Sequence, residues 1–390
     1  MEHAFKAVRH LGLGLTLAAA GFGSAHAEGK VKVGFMLPYT GTYAAPGNAI
    51  TNGFKLFVTE NGGKLGGREV EYFTVDDESD PAKATENANK LIKRDKVDVL
   101  VGTMHSGVAM AMAKVARENK TLLIVPNAGA DELTGALCAP TVFRTSFSSW
   151  QPSFAMGQVL AQKGYKNVVT LTWKYNFGTQ SVAGFKEAFE KGGGKVVKEM
   201  TLPFPNVEFQ SYLTEIAALK PDAVFVFFAG AGAAKFVKDY AGAGLKGKIP
   251  LFGPGFLTDG NLDAMGVAGD GVQTTLHYAD GLNNKKDSAF RLAYAKAFKS
   301  QPDVYAVQGY DAAQLYYAGL QAAGGDMAKQ DAVIKGMQVA RIDSPRGAFT
   351  LSKAHNPVQD IYLREVQGGR NKVVGTPLKA LADPARGCKM

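Results

Sequence analysis

Residues 101–135, VGTMHSGVAMAMAKVARENKTLLIVPNAGADELTG, set a histidine, a serine and an asparagine beside glycines in two short loops between apolar runs. His105 and Ser106 stand just before an amphipathic helical stretch. Amides in the first turn of a helix lack intrahelical partners, and the helix dipole favours negative charge there. Ser106 adds a hydroxyl donor to such an anion site; its plainer reading is an N-cap, and the two roles are compatible. His105 is either a ligand contact or a residue packed behind one. The loop holding Asn127, Ala128 and Gly129 follows the next apolar run and reaches the same sheet edge. Together the two loops form a cradle for a small ligand.

Catalytic patterns are missing elsewhere. Of six histidines, His3, His10 and His26 fall in the first 27 residues. The others, His105, His277 and His355, form neither an HExxH motif nor a close ligand pair, so no metal site is expected. There is no GxSxG elbow and no CxxC pair. Gly230-Ala231-Gly232 resembles the opening of a dinucleotide fingerprint. Lys235 stands at the third glycine position, however, and no acidic residue closes a following strand. These small residues read as tight strand-to-helix packing, and no cofactor is expected.

The elements that position the loops alternate. Apolar, β-branched runs at residues 31–38, 69–75, 97–102 and 122–126 read as strands, with helices over 44–61 and from Asp80-Pro81 to Arg94. A second series begins after Arg144, with strands at 167–173, 195–202, 222–228 and 249–253 and helices between them. Further elements are a strand at 271–278, helices at 288–299, 304–323 and 329–339, and strands near 347–351 and 360–366. From Lys379 the tail is extended. This is a duplicated, doubly wound α/β architecture. Ligands in such sheets sit at the carboxyl ends of strands. The loops there are 39–43, 103–106, 127–130, 174–177, 228–230 and 254–256. Tyr43, Tyr175, Phe177, Phe228 and Phe256 lie in or beside them and are read as pocket walls, since loop tips are poor places to bury core.

The 390 residues are 46% hydrophobic and 20% charged, which suits a globular chain of two or three domains. The net charge of +9 is dispersed, so nucleic-acid binding is not expected. Lys6, Arg9 and His10 precede an apolar run at 11–21, and Ala25-His26-Ala27 reads as a cleavage site. Residues 1–27 are therefore expected to be a cleaved signal peptide. No stretch reaches the ~18 apolar residues of a membrane span. In an oxidising compartment the two cysteines, Cys138 and Cys388, are expected to pair.

The chain resembles the solute-binding proteins of branched-chain amino-acid-type ABC transporters, the leucine/isoleucine/valine-binding family. The resemblance rests on VKVGFMLPYTG (31–41), VDVLVG (97–102), His105-Ser106-Gly107, IVPNAGADELT (124–134), FRTSF (143–147), FGTQSVAGFKEAF (177–189) and GYDAAQL (309–315). It covers nearly all of the chain beyond residue 27. It implies the type I periplasmic binding fold, two Rossmann-like lobes joined by three hinge crossovers. The lobes are expected at 28–145 with 276–343, and at 146–275 with 344–390; the crossovers are expected near 144–148, 274–278 and 341–347. It further implies a periplasmic, monomeric receptor that closes on a small carboxylate and docks on ABC permease subunits, with no reaction of its own.

Family members that bind amino acids grip the ligand carboxylate at positions matching Ser106, Ala128 and Gly129; a threonine expected at or beside Gly129 is absent. Their acidic partner for the ligand ammonium matches Gly255, which has no carboxylate, and their wall tyrosine matches Phe177. Tyr310, in GYDAAQL, is carried as a further ligand contact. An anion site without a cation partner, lined by aromatics, fits an aromatic acid such as a benzoate or cinnamate and points to the aromatic-acid-binding branch. The alternatives are an aliphatic amino acid or amide, with Asp259, Asp280 or Asp311 reaching the ammonium, a ligand sensor on the same fold, and an exported enzyme.

Overall fold

The computed structural model describes Met1 and residues 29–390; apart from Met1, the expected signal peptide lies outside the described residues. The first lobe begins with β1 (Val31–Leu37), α1 (Ala44–Glu60), β2 (Lys64–Leu65), β3 (Arg68–Asp76), α2 (Pro81–Asn89) and β4 (Val99–Val101). It continues with α3 (Ser106–Glu118), β5 (Leu122–Val125) and β6 (Val142–Arg144). Its sheet runs β2-β3-β1-β4-β5-β6. All neighbours in it are parallel except the β2–β3 hairpin at one edge. The central strands β4 and β5 are buried throughout, which is why they read as unbroken apolar runs. Asp80 caps α2, its Oδ1 accepting the Ala82 N–H at 2.9 Å ahead of Pro81.

The second lobe contains α4 (Trp150–Gln162), β7 (Asn167–Trp173), α5 (Asn176–Lys191), β8 (Lys195–Leu202) and α6 (Gln210–Leu219). Then come β9 (Ala223–Phe227), α7 (Gly230–Gly242), β10 (Leu251–Pro254), α8 (Leu262–Met265) and β11 (Gln273–Leu276). The chain next supplies α9 (Lys285–Phe298), α10 (Val304–Ala322) and α11 (Gln330–Gln338). Of these, α9 and α10 pack on α1 of the first lobe. It ends with β12 (Arg341–Ile342), β13 (Phe349–Leu351), β14 (Pro357–Val366) and β15 (Asn371–Leu381) on the second sheet. There the parallel order β8-β7-β9-β10-β11 mirrors β3-β1-β4-β5-β6, so each lobe has a switch point flanked by its first strand.

The last strand begins before the extended tail expected from Lys379. β15 starts at Asn371 and pairs antiparallel with β14 through repeated register shifts. Gly375 and Pro377 interrupt its alternation, which hides it in the sequence. Beyond β15, Cys388 is joined to Cys138 of the first lobe, with the two Cα atoms 5.5 Å apart.

Three passages link the lobes: residues 145–149, residues 277–284, and the stretch after α11 through β12 to residue 348. Arg346, in the third passage, ties it to the first passage and to α10. Its Nη1 and Nη2 donate to the Ser146 and Thr145 carbonyls at 3.2 and 2.5 Å. Its Nε stands 3.2 Å from Asp311 Oδ2 on α10. Among the described residues no helix is long and apolar enough to cross a membrane, and no group of His, Cys, Asp and Glu is arranged to hold a metal.

Candidate functional site

Between the strand ends of the two lobes lies a small cavity, lined by Tyr43, Met104, Asn127, Phe147, Tyr175, Phe177, Phe227, Ala229, Phe256 and Tyr305. Its free space is about 10 Å³, close to what a single water needs, so a ring-sized ligand enters only when the walls move apart. The walls are largely rings. Phe177 stacks on Phe227 with centroids 4.1 Å apart and meets Phe147 edge-on at 5.9 Å. Phe147 leans on Phe256 at 4.7 Å. No aspartate or glutamate lines it.

The lobes touch around this cavity. Tyr43 and Tyr175 share a hydroxyl–hydroxyl bond of 2.9 Å. His105 stacks on Tyr175 at 4.4 Å. Gln180 bridges the lobes, its Oε1 accepting the Asp131 N–H at 3.0 Å and its Nε2 donating to Glu132 at 2.6 Å. At the rim, the Thr42 Oγ1 accepts the Gly232 N–H at 3.2 Å. Gly230, at φ +57°, comes so close that a Cβ on it would lie 2.1 Å from the Thr42 carbonyl oxygen.

On the first lobe, His105 and not Ser106 caps α3: His105 Nδ1 accepts the Gly107 N–H at 3.1 Å. Burial holds its imidazole pKa down at about 4, against a small opposing pull from Asp80, so the ring is neutral near pH 7. Ser106 is thereby freed from capping. It is fully buried, and its Oγ has no hydrogen-bond partner among the described residues. A buried hydroxyl left unpaired costs about 1–3 kcal/mol, so a water or a ligand group bonded to it would stabilise the protein. In the neighbouring loop, Ala128 donates its N–H to the Thr103 carbonyl at 2.9 Å, which removes it as an anion donor. The Gly129 carbonyl accepts from Ser149 N and Oγ at 2.7 and 2.8 Å. A Cβ on Gly129 would lie 2.7 Å from Phe177, 2.8 Å from Phe147 and 2.9 Å from Ser149 Oγ. The missing threonine is thus a matter of space: aromatic walls occupy it. Asn127 lines the cavity and donates to Gln308 Oε1 at 2.7 Å.

On the second lobe, a Cβ on Gly255 would lie 2.3 Å from Arg364 Nη2. Arg364 is fully buried and forks onto Asp259 at 2.7 and 3.2 Å, with further bonds to Thr274 Oγ1 and the Tyr278 carbonyl. An arginine thus fills the site where a family carboxylate would face an ammonium. The other acidic candidates are also paired: Asp311 with Arg346, and Asp280 with Arg291 at 3.7 Å. Burial pushes Asp259 up to about 6 and Asp311 up to about 7, each opposed by its arginine.

Six expected contacts, His105, Ser106, Ala128, Gly129, Phe228 and Tyr310, are not among the lining residues, and the last two lie well away from the cavity. Phe228 points into the second-lobe core, 5.2 Å from Trp173, 4.9 Å from Phe209 and 4.7 Å from Phe236. Its neighbour Phe227 faces the cavity instead, since successive strand residues alternate faces. Tyr310 packs on Phe57 and Phe290 and donates to Glu60 Oε2 at 2.7 Å, joining α10 to α1 and α9. Tyr305, five residues earlier on the same helix, is the one that lines the cavity. Sequence reasoning also passed over Met104, Phe147 and Ala229. Phe147 sits within the FRTSF segment, where only a crossover was expected.

A model of the periplasmic binding protein family matches residues 30–371. A solute-binding protein of an ABC transporter from R. palustris, solved in complex with benzoate, is 56% identical, with a TM-score of 0.91 over 93% of this chain and 100% of that one. Another, from Rhodopseudomonas palustris BisB5 in complex with 3,4-dihydroxybenzoic acid, is 35% identical, with a TM-score of 0.86 over 91% and 99%. A Leu/Ile/Val-binding protein homolog 6 from Brucella melitensis is 32% identical across 86% of this chain and 87% of its own length.

Proposed function

The chain belongs to the periplasmic binding protein family, and from that premise we propose that it captures an aromatic monocarboxylate of the benzoate class. It is a solute-binding protein of an ABC transporter. In our reading residues 1–27 direct export and are cleaved, and the receptor works as a monomer. The lobes close by turning about the three crossovers, and the closed form delivers its ligand to the permease. Binding and closure are its whole task, and no reaction is assigned.

One observation carries the choice of ligand: Arg364 and Asp259 fill the ammonium end of the site with a completed ion pair. An amino acid entering there would bury an unpartnered ammonium, at a cost of about 3–5 kcal/mol. At the opposite end, the free Oγ of Ser106 and the amides at the start of α3 suit a carboxylate. Between the two ends lie rings that suit a flat apolar body. The benzoate and dihydroxybenzoate complexes of the two relatives support the same class.

A thermal-shift panel of benzoates, cinnamates, leucine and valine tests this. A true ligand at a hundredfold excess over its dissociation constant stabilises by about 2.7 kcal/mol. Benzoates should raise the melting temperature and the amino acids should not. The reverse pattern would sink the assignment and restore the aliphatic amino-acid reading suggested by the name of the Brucella relative.

A further inference from the structure

Resting on the benzoate-class reading, a second polar pole of the cavity becomes assignable. Tyr305 lines the cavity from the first turn of α10, where Asp303 caps the helix through the Ala306 N–H at 3.0 Å. It is fully buried, and its Oη has no partner among the described residues. Tyr43 and Tyr175, also cavity-lining, hold each other through their hydroxyls. Burial keeps all three phenols protonated, and they are close enough to act on one another: Tyr43 and Tyr305 both add to the upward shift of Tyr175.

Three hydroxyls carry three hydrogens. One holds the Tyr43–Tyr175 pair, which leaves two donors and several lone pairs without a protein partner. An arrangement of buried groups that both donate and accept matches a ligand group that does the same. A bare ring edge would leave Tyr305 unpaired, whereas a ring hydroxyl would satisfy it. A second carboxylate is a poorer match, since the nearby Asp259 and Asp303 repel negative charge.

We propose that Tyr305, with the Tyr43–Tyr175 pair, is a specificity-determining subsite for a hydroxyl on the ligand ring, so that the preferred ligands are hydroxybenzoates. Ser106 holds the acid end and Tyr305 reads the substituent. Calorimetric titration of the wild-type protein and of Tyr305→Phe with benzoate, 3-hydroxybenzoate and 4-hydroxybenzoate separates the possibilities. The wild type should bind one of the hydroxybenzoates about tenfold more tightly than benzoate. Tyr305→Phe should erase that difference, bringing benzoate and the hydroxybenzoates to within about twofold of one another. Tyr175→Phe, which keeps the ring, should also narrow it and guards against a folding defect in the first variant.

Equal affinities in the wild type would overturn the proposal. So would an equal loss for all three acids in Tyr305→Phe, because Tyr305 would then be holding the carboxylate. If none of the three acids binds while leucine does, the benzoate-class reading falls and the subsite falls with it.

Discussion

The two lobes present their strand ends to one cavity in the same order, yet the two rims differ in chemistry. After β1, β4 and β5 the first lobe offers Tyr43, Met104 and Asn127 to the cavity, with the capped start of α3 and the unpaired hydroxyl of Ser106 near Met104 in the chain. After β7, β9 and β10 the second lobe offers Tyr175, Phe177, Phe227 and Phe256. Where the second rim has a charged group near the cavity, Arg364, it is neutralised by Asp259 and held below the surface. Duplicated architecture therefore fixes where the loops go but not what they carry: one rim is mainly polar, the other mainly aromatic.

The contrast breaks most sharply at Gly129, where the rims interlock. Gly129→Thr would force a branched side chain against Phe147 and Phe177. Benzoate affinity should fall at least a hundredfold by calorimetry; retention of binding would mean that the walls can retreat and that the glycine is incidental. Ser106→Ala sharpens the polar side. Hydrogen bonds to charged groups are worth about 1.5–3 kcal/mol, so carboxylate binding should weaken by about 10- to 100-fold, while loss of the unpaired hydroxyl leaves the ligand-free melting temperature no lower than in the wild type. Unchanged affinity would remove Ser106 from the site. Phe177→Leu tests the apolar side. Losing ring-on-ring contact worth about 0.5–1.5 kcal/mol should weaken benzoate roughly 3- to 10-fold and leave cyclohexanecarboxylate nearly unaffected.

The smallest effect concerns pH. The folded protein holds His105 at about 4, below the ~6.5 of an unfolded chain. Between those values the unfolded state binds the extra proton, so this residue's contribution to stability is present above about pH 6.5 and is lost as pH falls toward 4. His105→Asn keeps a capping acceptor but does not titrate. Melting curves from pH 7 to pH 4.5 should fall less steeply for the variant than for the wild type; parallel curves would show that the histidine is not buried as described.

Much of this was legible in the residues. The alternation of apolar runs and helices located the strand ends, and with them the loops that hold Tyr43, Asn127, Tyr175, Phe177 and Phe256 around the cavity. What stayed hidden depended on parity and phase. β9 is buried on both faces, so nothing in AVFVFF distinguishes an inward Phe227 from a core-facing Phe228. In α10, Tyr305 and Tyr310 differ by five residues, about 140° around a helix, and residues 304–313 are buried on every side, so no polar face sets the phase. The capping role of His105 was also out of reach, because serine is the commoner cap and stood beside it. The pairing of Gly255 with Arg364 joins positions more than a hundred residues apart that only the folded sheet brings together.

Gly230 meets Thr42 outside the cavity wall, with no room for a methyl group between them. A side chain there would hold the rims apart without touching a bound molecule. In population terms, apparent affinity is intrinsic affinity scaled by the fraction of receptors able to adopt the binding-competent shape. A tenfold drop in that fraction would weaken every ligand tenfold and leave their ranking untouched. Discrimination among solutes would then belong to the rings and hydroxyls inside, while the concentration range over which the receptor responds would be set by a glycine that none of those solutes contacts.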